Sequence, residues 1–331
     1  MTLSLMRRET FETSSRVKLQ QEDSENFATV ANEIKSWSPE FIMIVARGSS
    51  DHAGVFAKYL FEVELGIPTM SAALSVSSIY QKTLKLSRAL VIVISQSGQS
   101  PDLLAQVASA HAGGAKILAL VNDQTSPIVR QADWSIPLNA GAERSVAATK
   151  SYLCTLSALL RLVANWSNDV QLMNALNELP NELDIESKNS AQIRHQAFKE
   201  MGNCVVIGRG FGYAIAKEMA LKIKEVCGIH AEAFSSAEFL HGPVTLAAGK
   251  ITLLAVNVED EALSSHLAAV EDFSSRGARV ISIVQSTASA HKRINPLLVL
   301  LRFYLDIEQI ASADGRNPDQ PIGLKKVTET L

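Results

Sequence analysis

The chain reads as an α/β protein made of two tandem domains, each a doubly wound parallel sheet flanked by helices. Two observations predict this. Continuous apolar runs such as Ala89–Ile94 mark strands buried on both faces, and the amphipathic stretches between them mark covering helices. The pattern then recurs about 162 residues later, with Gly48 corresponding to Gly210, so the fold arises by internal duplication.

In order, residues 1–40 are polar and amphipathic and are expected to form a helical arm. Phe41–Val45 is a strand ending in the Gly48 turn, followed by a helix over Ala53–Leu65 and the stop Gly66-Ile67-Pro68. A second strand, Ala89–Ile94, leads through a Ser/Gly loop into a helix over Asp102–His111, then into the strand Ala115–Leu120. The apolar helix Tyr152–Trp166 carries Arg161 and is too short to span a bilayer. Residues 41–180 form the first expected domain. The polar stretch Asn168–Lys199 is expected to be a helical connector whose periodicity breaks at Pro180. The second domain, 181–311, repeats the order: strand Asn203–Gly208, helix Ile215–Val226, then Gly228, and strands Ile251–Val256 and Ala278–Ile283. A helix over Pro296–Ala311 closes it. The tail 312–331 contains Pro318 and Pro321 and cannot be a long helix; with Leu324 and Val327 to bury, it is expected to form an ordered strap.

Composition narrows the function. Of 331 residues, 47% are hydrophobic and 20% charged, and the net charge is −3. No basic patch or high pI points to nucleic acid, and no apolar segment points to a membrane. The cysteines Cys154, Cys204 and Cys227 form no CxxC pair or disulfide framework, so a reducing cytoplasm is expected. No His/carboxylate set has metal spacing, no GxSxG elbow or Walker sequence occurs, and Gly208-x-Gly210-x-Gly212 is not a dinucleotide fingerprint. Neither a metal nor a cofactor is expected.

The loop Ser95-Gln96-Ser97-Gly98-Gln99-Ser100 lies where a buried strand turns into a helix. Backbone N–H groups at a helix start attract an anion, and the hydroxyls add neutral donors. With no lysine or arginine inside it, the loop suits a monophosphate. The corresponding loop of the second half, Asn257-Val258-Glu259-Asp260, would repel one, so one phosphate site per chain is expected. In the second half, Lys222 and Glu225 fall on one helix face, three residues apart. His241, followed by Gly242-Pro243, is held in a turn, and the tail supplies Lys325 and Lys326. Alone, each is most often a solvated charge.

Together these segments resemble the sugar isomerase (SIS) domain family, and within it the isomerase half of glucosamine-6-phosphate synthase. The likeness covers nearly the whole chain. It rests on Ala46-Arg47-Gly48-Ser49-Ser50, Ser95–Gly98 and Gly141–Lys150, then on Ala220–Glu225, His230–Ala233, Glu238–Pro243 and Asp319-Gln320-Pro321. The first glycine turn departs from the family at Arg47, Asp51 and His52. The sequence opens Met1-Thr2-Leu3-Ser4 without the synthase's N-terminal nucleophilic cysteine, so ammonia release is the expected direction, as in stand-alone SIS-type glucosamine-6-phosphate deaminases.

The resemblance implies roles. Ser95, Gln96, Ser97 and Ser100 match phosphate contacts, Ser50 a sugar contact, and Val146 and Ala147 backbone contacts to the sugar. His241 would open the pyranose ring, donated from the neighbouring subunit of a homodimer. Glu225 would carry a proton from C2 to C1, Lys222 would steady the developing enolate charge, and water would hydrolyse the resulting imine. Lys326 matches a Schiff-base lysine, with Lys325 the alternative because the tail is one residue short. The expected activity is conversion of glucosamine 6-phosphate to fructose 6-phosphate and ammonia. The alternatives are a deglycase of amine adducts such as fructoselysine 6-phosphate, a galactosamine-6-phosphate enzyme, and a sugar-phosphate sensor.

Overall fold

A computed structural model describes residues 3–199, 201–249 and 251–326. The first half holds α1 (Leu5–Phe11), α2 (Thr13–Glu22), α3 (Ser24–Trp37), β1 (Phe41–Val45), α4 (Ser49–Leu65), β2 (Thr69–Ser71), α5 (Ser75–Ser78) and β3 (Ala89–Ser95). It continues through α6 (Pro101–Ala112), β4 (Lys116–Val121), α7 (Pro127–Gln131), β5 (Trp134–Pro137) and α8 (Lys150–Ser167). Then come α9 (Val170–Lys188), α10 (His195–Lys199), β6 (Asn203–Gly208), α11 (Phe211–Lys222), β7 (His230–Ser235) and α12 (Ser236–Phe239). The chain ends through β8 (Thr252–Val256), α13 (Leu263–Ser275), β9 (Arg279–Ile283) and α14 (Asn295–Ala313).

The chain divides into two compact units. One comprises Ser15–Ala142 and Lys150–Asn177; the other holds the N-terminal segment through Ser14, the loop Glu143–Thr149 and Glu178–Lys326. Each unit carries one wholly parallel sheet, ordered β2-β1-β3-β4-β5 in the first and β7-β6-β8-β9 in the second. β3 is buried at every residue, as its unbroken apolar run requires. Three strands escape the sequence pattern: β2 and β7, each at an edge, and β5, at the opposite edge of the first sheet. Each is short or mixed in polarity, so hydrophobic periodicity carries little signal there. Among the described residues no helix is long and apolar enough to cross a membrane.

Gly48 and Gly210 enter the paired helices with nearly the same backbone, φ 56° and 54°. Both helices start earlier than their apolar periodicity indicates, at Ser49 and Phe211, directly after these glycines.

One expectation is corrected. Pro180 lies inside a continuous α9 and does not break it. Proline lacks the N–H that would close on the Leu176 carbonyl one turn back. Arg161, buried in α8, donates its Nη2 to that carbonyl at 2.7 Å, and Gln21 Nε2 reaches it at 3.4 Å. The orphaned acceptor is satisfied from outside, and the helix runs on. Burial lowers the Arg161 guanidinium below its ordinary value, to about 10, so the group is held at a desolvation cost that this bond offsets. Arg161→Leu is expected to lower the unfolding free energy by about 2–3 kcal/mol in a urea titration. An unchanged midpoint would show that α9 does not need the bond.

Candidate active site

In the first unit the strand order reverses between β1 and β3. Ligands of such sheets bind beyond the strand ends at this reversal. The loop after β1 and the loop after β3 flank it, and Arg47 Nε donates to Asp102 Oδ2 at 2.8 Å, joining the two. Ser50 lies in the first turn of α4. Ser95 ends β3, and its Oγ accepts the Gly98 N–H at 3.0 Å, closing the turn that presents Gln96 and Ser97. Gly98 has φ +61°, and a Cβ there would stand 2.3 Å from Ser126 Oγ and 2.9 Å from Val121 Cγ1. Only glycine satisfies both the backbone and the packing. Gly98→Ala is expected to cost about 1–3 kcal/mol of stability and to weaken sugar-phosphate binding. Calorimetry on the folded variant checks this, and wild-type affinity would contradict the loop's role.

Ser100 holds the N-cap position of α6 with extended backbone, and its hydroxyl makes no capping bond. One backbone donor counted on for an anion is already engaged, because Asp102 Oδ1 accepts the Leu103 N–H at 2.9 Å. A residue that sequence reasoning missed lies close by. Arg16, from α2, lines an open pocket of about 390 Å³ together with Gln96, Asn122 and Gly141. Gly141, at φ +67°, lets the Arg16 guanidinium carbon approach to 2.8 Å of where a Cβ would sit. The loop has no cation of its own, but the arm brings one to the pocket beside Gln96.

In the second unit, α11 ends at Lys222 and passes into a π-helical turn over Ile223–Cys227. Such turns widen a helix locally and recur at functional sites. Lys222 is fully buried, with its Nζ 2.6 Å from Glu225 Oε2 and 3.3 Å from Glu218 Oε1. Burial alone would lower the Lys222 amine, but the two carboxylates outweigh it and hold its pKa above the ordinary lysine value. Glu225 is partly open, whereas Glu218 is closed off and its Oε1 accepts the Tyr304 hydroxyl of α14 at 3.1 Å. The Lys222–Glu225 pair was legible from its spacing; Glu218 and Tyr304 were not. His241 follows α12 in a turn closed by its own N–H on the Glu238 carbonyl, and the residue is exposed. No hydrogen bond or ion pair joins it to Lys222 or Glu225 among the described residues. His230–Ala233, part of the resemblance, forms the edge strand β7.

The loop Glu143–Thr149 belongs to this second unit with the tail. Glu9, buried on α1, accepts the N–H groups of Arg144 and Ser145 at 2.5 and 3.1 Å. Asp319 caps α1 by accepting from Leu5 and Met6 N–H, both at 2.8 Å, and its carbonyl takes the Val146 N–H at 3.0 Å. That N–H is therefore already engaged, while Ala147 is buried beside it. Lys326 donates its Nζ to the Ser145 carbonyl at 2.6 Å and lies 3.7 Å from the buried Glu143. Of the two tail lysines, both exposed, Lys326 is the one bonded to this loop. Val327 and Thr328, which set the tail register, lie outside the described residues.

The structure thus gathers Ser50, Ser95, Gln96, Ser97 and Ser100 around the first sheet's reversal. It joins Lys222 to Glu225, and Ser145 and Val146 to the tail through Lys326 and Asp319.

Comparison with known proteins agrees with this fold. The SIS domain model matches residues 37–164 and 198–299. A glutamine–fructose-6-phosphate aminotransferase (isomerizing) of Methanothermobacter thermautotrophicus is 34% identical over 304 residues, covering 87% of this chain and 51% of that protein. The chain spans about half the length of the curated relatives it matches. The crystal structure of a candidate phosphosugar isomerase from Silicibacter pomeroyi DSS-3 superposes with a TM-score of 0.90 at 36% identity, covering 96% of this chain and 100% of that one. The C-terminal domain of glucosamine-fructose-6-phosphate aminotransferase from Francisella tularensis gives 0.84 at 27% identity, covering 97% and 99%. With two parallel sheets related by duplication and a family match over both halves, the chain belongs to the SIS domain family.

Proposed function

We propose that this protein is a glucosamine-6-phosphate deaminase, converting glucosamine 6-phosphate and water to fructose 6-phosphate and ammonia. The observation that carries the reading is the carboxylate of Glu225, partly open to solvent and bonded to a buried cation at 2.6 Å. A group that must accept a proton and return it within one turnover needs such access, and a fixed cation beside it stabilises developing enolate charge. The phosphate is assigned to Ser95, Gln96, Ser97 and Ser100, and the sugar to Ser50 and the Val146–Ala147 backbone. His241, contributed by the neighbouring subunit of a homodimer, opens the ring. Glu225 takes the C2 proton of the open aldehyde and returns a proton to C1, leaving an imine at C2. Water adds there, and ammonia leaves as the C2 carbonyl of fructose 6-phosphate forms. Lys326 is the tail lysine assigned to the site. No cofactor or metal is required by these steps, and a cytoplasmic location is in keeping with them.

The relatives' names support the chemistry at fructose 6-phosphate and an amino group; the direction and the free-ammonia product are the proposal. The test is to incubate purified protein with glucosamine 6-phosphate and to quantify both products. Equal amounts of ammonia and fructose 6-phosphate are expected. Binding of the sugar phosphate without ammonia would overturn the reading in favour of an amine-adduct substrate or a sensor.

A further inference from the structure

The duplication provides an internal control for the charged cluster on α11. The two paired helices are bounded by glycines at both ends, Gly48 and Gly66 for the first, Gly210 and Gly228 for the second, so residues correspond one to one at the same offset. Glu218, Lys222 and Glu225 then fall opposite Phe56, Leu60 and Val63. Phe56 and Leu60 are fully buried. At these two positions the fold is therefore built with apolar side chains, and the second copy replaces them with Glu218 and Lys222; Val63, opposite the partly open Glu225, is exposed. Desolvating such charges is costly, and nothing in the architecture demands it.

Glu225 and Lys222 already have roles in the proposed reaction; Glu218 does not. It is closed off from solvent, and the oxygen that faces Lys222 is the one pinned by the Tyr304 hydroxyl, so its position is fixed from α14. Glu218 and Glu225 both face Lys222 with their carboxylates, and α14 brings the Tyr304 hydroxyl to the cluster. Removing Glu218 would take one of these two carboxylates from the buried ammonium and leave the one that has to change protonation during turnover.

We propose that Glu218, held by Tyr304, is a positioning residue that keeps Lys222 protonated and directed at Glu225 while Glu225 shuttles its proton. This inference rests on the deaminase reading for its kinetic consequences, but its electrostatic core does not. With Glu218 as a second anchor, Lys222 retains a carboxylate partner when Glu225 is protonated, so the cation survives the step in which the base carries its proton.

The experiment compares wild type, Glu218→Gln and Tyr304→Phe. Lys222 is followed by the NMR signal of its side-chain nitrogen, assigned by its loss in Lys222→Met, through an alkaline titration without substrate. In Glu218→Gln the Lys222 ammonium is expected to lose its proton at a pH lower by about 1–2 units than in wild type. The alkaline limb of kcat/KM for glucosamine 6-phosphate should move the same way, with kcat at neutral pH down about tenfold and KM within about twofold. Tyr304→Phe removes one hydroxyl and should shift both readouts in the same direction by less; it carries the test if Glu218→Gln does not fold. Unchanged Lys222 titration in the folded variants would overturn the proposal, as would a uniform loss of kcat with an unmoved alkaline limb. Absent turnover in wild type would count against the deaminase reading alone, because the titration needs no substrate.

Discussion

Glu225→Gln is expected to reduce kcat for glucosamine 6-phosphate about 10³-fold while leaving sugar-phosphate affinity within about threefold of wild type. The amide preserves shape and accepts a hydrogen bond from Lys222, but it cannot take the C2 proton. The residue lies on the π turn with its carboxylate partly open, so the substitution leaves the core beneath it intact. The donors assigned to the phosphate, Ser95, Gln96, Ser97 and Ser100, are themselves unaltered by the substitution. Steady-state kinetics and calorimetric binding on the same preparation separate the two effects. A variant that turns over at the wild-type rate would remove Glu225 from the mechanism; one that no longer binds would move it to substrate recognition.

The largest expected effect on stability is at Lys222. Lys222→Met leaves Glu218 fully buried beside an apolar chain, which should cost about 3–5 kcal/mol of unfolding free energy. The Glu218→Leu/Lys222→Leu double variant reproduces the apolar character of Phe56 and Leu60 in the first copy and should recover most of that loss. Denaturant unfolding of the single and double variants decides this. Equal destabilisation of both would show that the second copy has come to depend on its charges for folding. Because the Lys222 amine is raised in the folded state, its ion pairs contribute in full at neutral pH. That contribution fades only as pH climbs through the raised folded value, above the ordinary lysine range, so the comparison is made near pH 7.

The parallel sheets and their duplication were legible because β1, β3, β4, β6 and β8 are apolar and separated by amphipathic helices. The edges were not, because β2 has three residues and β7 mixes polar, small and aromatic side chains, as an edge half in solvent permits. Pro180 misled because proline is judged by the bond it removes; that Arg161 supplies the missing donor depends on packing from another helix. At the site, Lys222 and Glu225 were readable as neighbours on one helix. Glu218 was in view one turn earlier, but its meaning came from Tyr304, 86 residues away. Arg16 was similarly hidden, since a cation inside the polar arm gives no sign of the pocket it lines. The loop Glu143–Thr149 reads as part of the first half by chain position. Glu9, Asp319 and Lys326 tie it to the second unit through backbone bonds that no local pattern announces.

The account stands on a proton carried from C2 to C1 by Glu225. The most direct measurement follows wild type and Glu225→Gln converting glucosamine 6-phosphate in deuterated water by NMR. The account predicts solvent deuterium at C1 of the fructose 6-phosphate made by wild type, with ammonia released in equal amount, and neither in the variant. Undiminished turnover in Glu225→Gln, with the same deuterium content at C1 as in the wild-type product, would contradict it.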